Sequence, residues 1–256
     1  MELHSCILTN NDCYQRGLTI QPTGVMVHST AANNPYIKRY VQPNDGLLGD
    51  NTYDNDWNRS GLDVCVHAFI GKKQDGGIAT YQTLPWNRRG WHAGGDANNT
   101  HISFEICEDD LSSRSYFEAV YREAAELTAY LCKLYGLNPL QDGVVICHAE
   151  GYRRGTASNH GDVEHWFPKF GKTMDDFRNY VNQIMEGDEM SREEIQALVD
   201  ERIKVILEGK QTKVSTWAQE ELAEAVENGI TDGSRPGGYA TREEAAIMVE
   251  RLRKKL

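Results

Sequence analysis

Short apolar runs separated by polar turns make up much of the first part of the chain. Each run has the length and the branched or aromatic side chains that are typical of a β-strand. One run alternates strictly: Ile102, Phe104 and Ile106 share one face, while Ser103 and Glu105 share the other. The pattern predicts five strands, at 24–28, 63–70, 78–84, 102–106 and 144–147.

Helical spacing occurs between and after these runs. Apolar and aromatic residues recur every three or four positions over 115–135, which predicts a helix that ends at Gly136. A short helix is predicted over 35–41, with proline in its first turn, and Thr173 with Asp176 predicts the start of another. Strands and helices in this order predict an α/β fold with a mixed central sheet flanked by helices.

The C-terminal part of the chain has a different pattern and follows a short acidic break. Two capping-box sequences, SREE at 191–194 and TREE at 241–244, each predict the start of a helix. A further helix is predicted over 216–228, where a glycine follows the last residue. We therefore predict two domains: a larger one over 1–186 and a small all-α domain over 190–256.

Composition and charge exclude several classes of partner. The formal net charge of −11 and the pI near 5.2 argue against a nucleic-acid groove or an anionic membrane surface. No apolar run approaches the roughly 20 residues of a membrane span, so no membrane insertion is expected. The N-terminus lacks the basic and apolar parts of a secretory signal, which predicts synthesis in the cytoplasm without a signal peptide.

The six cysteines include no CxxC pair, and most lie inside apolar patterns. Buried, reduced thiols are the favoured interpretation over a disulfide framework. Cys6 and Cys13 are the pair for which a disulfide remains open.

Two histidines follow apolar strands directly. His28 ends the first predicted strand, and His148 ends the strand at 144–147; Asp162 lies in the polar loop that follows. A catalytic zinc takes three protein ligands and leaves a fourth position for water, and strand ends hold such ligands rigidly. These three residues are therefore candidate ligands, although a histidine at a strand end is commonly a hydrogen-bonded structural residue instead.

Glu105 is unusual because it is a carboxylate in the middle of an apolar strand. Burying it is costly unless a cation lies nearby. Beside a metal-activated water it could act as a general base. The alternative is that its face of the strand is solvated.

Five motifs occur in order along the chain: VMVHST, VHAFIG, GWHAG, ISFEIC and CHAEG with NHGD. Together they resemble the zinc-dependent N-acetylmuramoyl-L-alanine amidases of the type-2 amidase family, which is related to the peptidoglycan-recognition proteins. The version here is most similar to the amidase domain of phage endolysins. The resemblance covers roughly residues 1 to 180, and it implies a peptidoglycan-recognition-protein-like fold acting on the bacterial cell wall.

The resemblance also implies roles for individual residues. His28, His148 and Asp162 would bind Zn²⁺, and Glu105 stands where the family has its catalytic glutamate. His160 stands where many members carry a lysine that stabilises the oxyanion, so it would be either an oxyanion donor or an alternate ligand. Three further residues match positions that line the substrate groove: His67, Trp91 and His92. Three other histidines match no functional position: His4, His101 and His165.

The C-terminal segment over 217–233, with the following TREEAAIMVERL, resembles a single S-layer-homology unit. Such units usually occur in threes and bind wall polysaccharide. The alternative is a helical hairpin that forms a homodimer or covers the amidase.

The implied activity is hydrolysis of the bond between N-acetylmuramic acid and L-alanine in peptidoglycan. Its alternatives are a non-catalytic peptidoglycan-binding protein and, more distantly, a zinc peptidase acting on unrelated peptides.

Overall fold

The computed structural model describes residues 1–187, 199–201, 203–204, 214–234, 236–238 and 240–255. Backbone contacts divide the chain into two compact units, Met1–Asp188 and Glu189–Leu256. The predicted capping box at 191–194 lies outside the described residues.

A mixed β-sheet forms the centre of the first unit, as predicted. Its six strands within the described residues lie in the order β1-β4-β3-β5-β2-β6, and only β3 and β4 are antiparallel to each other. The strands are β1 (Leu3–Ser5), β2 (Gly24–Asn33), β3 (Ala68–Lys72), β4 (Ile78–Gln82), β5 (His101–Glu108) and β6 (Val145–Cys147).

Four α-helices accompany this sheet: α1 (Asp12–Gln15), α2 (Arg114–Tyr135), α3 (His148–Arg153) and α4 (Met174–Gly187). Helix α2 ends as predicted at Gly136, which adopts the left-handed conformation with φ 65°. At the start of α4, the Thr173 hydroxyl accepts from the Asp176 N–H at 3.1 Å, and the Asp176 carboxylate accepts from the Thr173 N–H at 2.8 Å.

The two faces of the sheet differ in chemistry. Ile102, Phe104 and Ile106 of β5 pack into the main core together with residues of α2 and α4. Val25 and Val27 of β2 belong to the same core. The alternate residues of both strands face the other side, where the polar side chains lie. This alternation places His28 and Glu105 on the face away from α2 and α4.

Two predicted elements of the first unit are three or four residues shorter than expected. The strand predicted over 63–70 begins only at Ala68, because Cys65 pairs through an isolated bridge with Trp91 instead of joining the ladder. The helix predicted over 35–41 is a single 3₁₀ turn, Ile37–Arg39. The helix cannot begin at Pro35, because Tyr36 has extended backbone and pairs through an isolated bridge with Lys72, whose N–H donates to the Pro35 carbonyl at 2.7 Å.

The described part of the second unit contains helical residues at 199–201 and 203–204. It also contains the 3₁₀ turn Thr216–Ala218 and two longer helices, α5 (Gln219–Glu227) and α6 (Arg242–Arg253). The predicted capping box of Thr241 and Glu244 starts α6. Neither helix has a buried residue, and Trp217 is 82% exposed. No helix among the described residues combines the length and apolar character needed to span a membrane.

All six cysteines are within the described residues and are free thiols. Five are buried, and Cys6 is half-buried. The Cys13 thiol contacts Cys65, and this hydrogen bond lowers the pKa of Cys13. The neighbour of Cys13 is therefore Cys65, whereas the sequence had singled out Cys6.

Candidate active site

The candidate site lies on one face of the sheet, where the parallel strands β5, β2 and β6 run side by side. Strand β2 lies between β5 and β6, and the register pairs His28 with Glu105 on one side and Val27 with Cys147 on the other. His148 follows Cys147 and is the first residue of α3. Only β6 ends at this point, because β2 and β5 continue past His28 and Glu105 to Asn33 and Glu108. The prediction that His28 ends its strand is therefore wrong, and the parallel register is what brings His148, His28 and Glu105 together.

Three side chains form a compact triangle of ligand atoms. His28 Nδ1 lies 3.1 Å from Asp162 Oδ2 and 3.1 Å from His148 Nδ1. The third edge, between His148 Nδ1 and Asp162 Oδ2, is 3.5 Å. Ligand atoms at about 2.0–2.1 Å from a tetrahedral zinc lie about 3.3 Å from one another. The triangle has the size and the donor atoms of a three-ligand zinc site.

The protonation states of these residues also suit a metal. Burial lowers the pKa of His28, despite the opposing effect of Asp162, so its imidazole is neutral. Burial alone would raise the pKa of Asp162, but hydrogen bonds from His148 and His28 outweigh it and hold that pKa well below its usual range. A neutral imidazole and an ionised carboxylate are the forms that bind a cation.

Each ligand histidine has a protein partner at its other ring nitrogen. His28 Nε2 lies 3.0 Å from His92 Nδ1, and His148 Nε2 lies 3.3 Å from Ser158 Oγ. Burial lowers the pKa of His92 well below its usual value, so this ring is neutral and can accept the proton of His28. These contacts place the imidazole protons on Nε2 and leave Nδ1 free for a metal. No sequence feature had singled out Ser158.

The loops that supply His92 and Ser158 touch each other closely. Gly94 has φ +64°, and a Cβ there would lie 2.7 Å from Ser158 Oγ. Asn98 Oδ1 accepts from the backbone N–H groups of His92 and Ala93 at 2.8 and 2.9 Å. The glycine in the GWHAG motif was the sequence signal for this close approach, because only glycine fits there without strain.

Glu105 lies beside His28 in the sheet, and one of its carboxylate oxygens is unpaired. Among the described residues, its Oε2 atom is buried and has no hydrogen-bond partner. Burial raises the pKa of Glu105 well above its usual value, and the charges of Asp162 and Glu108 raise it further. A cation beside this carboxylate would compensate for its desolvation.

A cavity of about 360 Å³ opens over this cluster. His160 lies at its wall, with its ring centroid 4.6 Å from that of His148 and its Nδ1 3.1 Å from Ser158 Oγ. Trp91 lies at the rim and is 40% exposed. A larger groove of about 740 Å³ between α2 and α4 contains none of the predicted site residues. The candidate catalytic residues therefore line the smaller cavity.

The sequence matches the family model described as N-acetylmuramoyl-L-alanine amidase over residues 18–164. The match covers more than half of the 256 residues and contains every residue of the triangle. The chain belongs to this amidase family. It is accordingly an enzyme that hydrolyses an amide bond of bacterial cell-wall peptidoglycan.

Solved structures share the fold of this amidase. The Staphylococcus aureus hydrolase AmiA, in complex with its ligand, is 20% identical and has a TM-score of 0.54, with 72% of this chain and 82% of AmiA covered. The PlyG catalytic domain is also 20% identical and has a TM-score of 0.51, with 72% and 94% covered. The comparison with curated protein sequences returned no match.

One predicted groove residue of the amidase is not in its cavity. His67 is fully buried, its Nε2 donates to the Arg88 carbonyl at 2.7 Å, and its Nδ1 accepts from the Ser103 N–H at 3.0 Å. Burial lowers the pKa of His67 to about 4. Both ring nitrogens are bonded inside the protein, and His67 does not line the cavity, so its contact with substrate stays a prediction. It joins the segment containing Arg88 to β5.

Proposed function

We propose that this amidase cleaves the bond between N-acetylmuramic acid and L-alanine with one Zn²⁺ held by His28, His148 and Asp162. The observation that carries the proposal is the triangle of two Nδ1 atoms and one Oδ2 atom, with edges of 3.1, 3.1 and 3.5 Å. Two neutral imidazoles and one carboxylate are a usual donor set for catalytic zinc. Zinc bound there would supply Lewis-acid activation of the substrate carbonyl and of a water molecule.

Glu105 is the proton carrier in this proposal. Its unpaired Oε2 lies in the wall of the cavity that contains the three ligands. As the attacking water adds to the carbonyl carbon, Glu105 takes its proton and then donates that proton to the leaving amine of L-alanine. Burial raises the pKa of Glu105 in the metal-free fold, and a zinc ion beside it would favour the ionised form that accepts the proton of the attacking water.

His160 is the proposed donor to the oxyanion. The Ser158 hydroxyl donates to the Ala93 carbonyl at 3.1 Å, so its oxygen accepts from His160 Nδ1, 3.1 Å away. In its protonated form His160 carries a second proton on Nε2, where it can donate to a developing negative charge. This arrangement makes His160 a donor in place of the lysine that many relatives carry.

Trp91 and His92 are the proposed substrate contacts. Both line the cavity, and Trp91 presents an exposed aromatic ring at its rim. An exposed indole provides an apolar platform with a hydrogen-bond donor at its edge, which suits a sugar ring or a peptide stem.

Digestion of purified cell walls tests the bond specificity. We expect new N-terminal alanine to appear without new reducing sugar ends. Metal analysis of the same preparation should give one zinc per chain. New reducing ends, or release of peptides without N-terminal alanine, would refute the assignment of the bond.

We further propose that the protein acts as an endolysin and that residues 190–256 bind wall polysaccharide or form a homodimer. The support is the resemblance to phage lysins and to an S-layer-homology unit, and the solvent-exposed Trp217. Wall sedimentation and analytical ultracentrifugation of Trp217→Ala and of a chain truncated at residue 189 separate the two roles. If the segment binds the wall, the variants should no longer sediment with cell walls. If it forms a homodimer, their mass in analytical ultracentrifugation should fall to that of a monomer. If neither changes, both roles are wrong.

A further inference from the structure

Strand β5 ends at a carboxylate that the proposed chemistry does not use. Glu108 is 3% exposed, and its Oε1 accepts from the Ala31 N–H at 3.2 Å. Its backbone N–H donates to Thr30 Oγ1 at 3.1 Å. Thr30 and Ala31 follow the ligand His28 by two and three positions and line the cavity. Glu108 therefore holds the chain segment that leaves the first metal ligand.

The other partner of Glu108 comes from the loop of a second ligand. His165 Nε2 lies 2.8 Å from Glu108 Oε1, and the ring is about one-third exposed. The backbone N–H of His165 donates to the Gly161 carbonyl at 3.3 Å, directly before Asp162. One side-chain pair thus joins the segment after His28 to the segment around Asp162.

The backbone at Ala31 shows why this segment needs the hydrogen bond to Glu108. Ala31 has φ 48°, a left-handed conformation that is unfavourable for alanine, and the pairing of β2 with β5 is irregular between Ser29 and Asn33. The sheet ladder does not hold this segment in its place. A buried carboxylate also requires a partner of its own. The His165 side chain supplies that partner while the carboxylate holds the Ala31 N–H.

We propose that Glu108 and His165 are a positioning pair that sets the separation of His28 and Asp162. The inference rests on the proposed zinc site and deepens it. The pair lies outside the ligand triangle and acts through the two backbone segments. Its loss would loosen the triangle without removing a ligand. Such supporting contacts typically change metal affinity by 10- to 100-fold.

The test compares His165→Ala with His165→Gln in the full-length protein. The glutamine amide nitrogen can take the position of Nε2 and donate to Glu108, whereas alanine cannot. His4→Ala is the matched control, because the His4 ring is similarly exposed, 30% against 35% for His165, and its Nε2 lies 2.9 Å from Glu2 Oε1. His165→Asn is a second polar variant, whose shorter amide does not reach Glu108. Zn²⁺ affinity is measured by competition with a chromophoric chelator, together with kcat and KM on purified walls.

We expect His165→Ala and His165→Asn to bind zinc about tenfold more weakly, while His165→Gln and His4→Ala stay within twofold of wild type. If His165→Ala fails to fold, the comparison of zinc affinity between His165→Asn and His165→Gln tests the proposal instead. Equal zinc affinity for asparagine and glutamine variants would overturn the positioning role. A wild-type protein that binds no zinc would overturn the proposed metal site, and this inference with it.

Discussion

The Nδ1 atoms of His28 and His148 lie 3.1 Å apart, although 120 positions separate the two residues in sequence. Their strands are neighbours in the sheet, and the other ring nitrogen of each contacts a different loop. Two nitrogens this close share at most one proton, so the arrangement favours a cation between them. The proposed metal site is thus a consequence of strand order.

Removal of a ligand should abolish metal binding and activity together. Asp162→Asn keeps the shape of the side chain but removes the charge that draws a cation to the two imidazoles. We expect the purified variant to contain no zinc and to have no measurable amidase activity. Chelation of the wild-type protein should lower its thermal midpoint, and added zinc should restore it. A fully active, zinc-free Asp162→Asn variant would contradict the site.

Replacement of Glu105 should separate activity from stability. Glu105→Gln removes the proton carrier, so we expect kcat to fall by roughly 10²–10⁴ with zinc content unchanged. Because burial raises the pKa of Glu105, the ionised carboxylate destabilises the zinc-free fold above that pKa. The thermal midpoint of the zinc-free variant should therefore rise. Glu118→Gln, at a residue exposed on α2, is the control for both measurements.

His160 should affect the rate but not the metal. We expect His160→Ala to lose about 10²–10³ in kcat while it retains its zinc, because the ligand triangle is complete without it. His160→Lys should keep most of the activity, since a lysine can donate to the same charge. Loss of zinc from His160→Ala would show instead that His160 is a ligand.

The zinc-free protein should lose stability on acidification through His67. Its pKa is about 4 in the fold against an ordinary value of 6.5. The folded state therefore binds fewer protons, and the stabilisation is complete above pH 6.5 and lost as the pH falls toward 4. That difference corresponds to about 3 kcal/mol in the free energy of unfolding.

Urea unfolding of wild type and His67→Gln at several pH values measures this contribution. The variant should be less stable near neutral pH and should depend less steeply on pH between 6.5 and 4. Equal slopes for the two proteins would show that another buried group is responsible.

Local periodicity was sufficient for much of the fold. The alternation of Ile102, Phe104 and Ile106 predicted which face of β5 enters the core, and hence that Glu105 lies on the other face. The helix ending at Gly136 and the capping box at Thr241 were also predictable. Each of these depends on contacts within a few residues, or on one side chain facing apolar or polar surroundings.

Motif order was sufficient for the family and for the candidate ligands, but not for the supporting residues. His67 illustrates the limit, because its sequence position did not reveal that both of its nitrogens are bonded inside the protein. Ser158 and His165 carried no signal at all. Their partners, His148 and Glu108, lie in other segments of the chain.

The sequence by itself determined five of the six described strands, the principal helices and the chemical identity of the candidate donors. Only the tertiary structure decided the strand order, the loop contacts at Gly94, and which nitrogen of each imidazole faces the ligand triangle. The physical reason is the separation along the chain of the residues that interact. Secondary structure follows from neighbouring residues, whereas a ligand site requires atoms from distant segments to meet within about 3–4 Å.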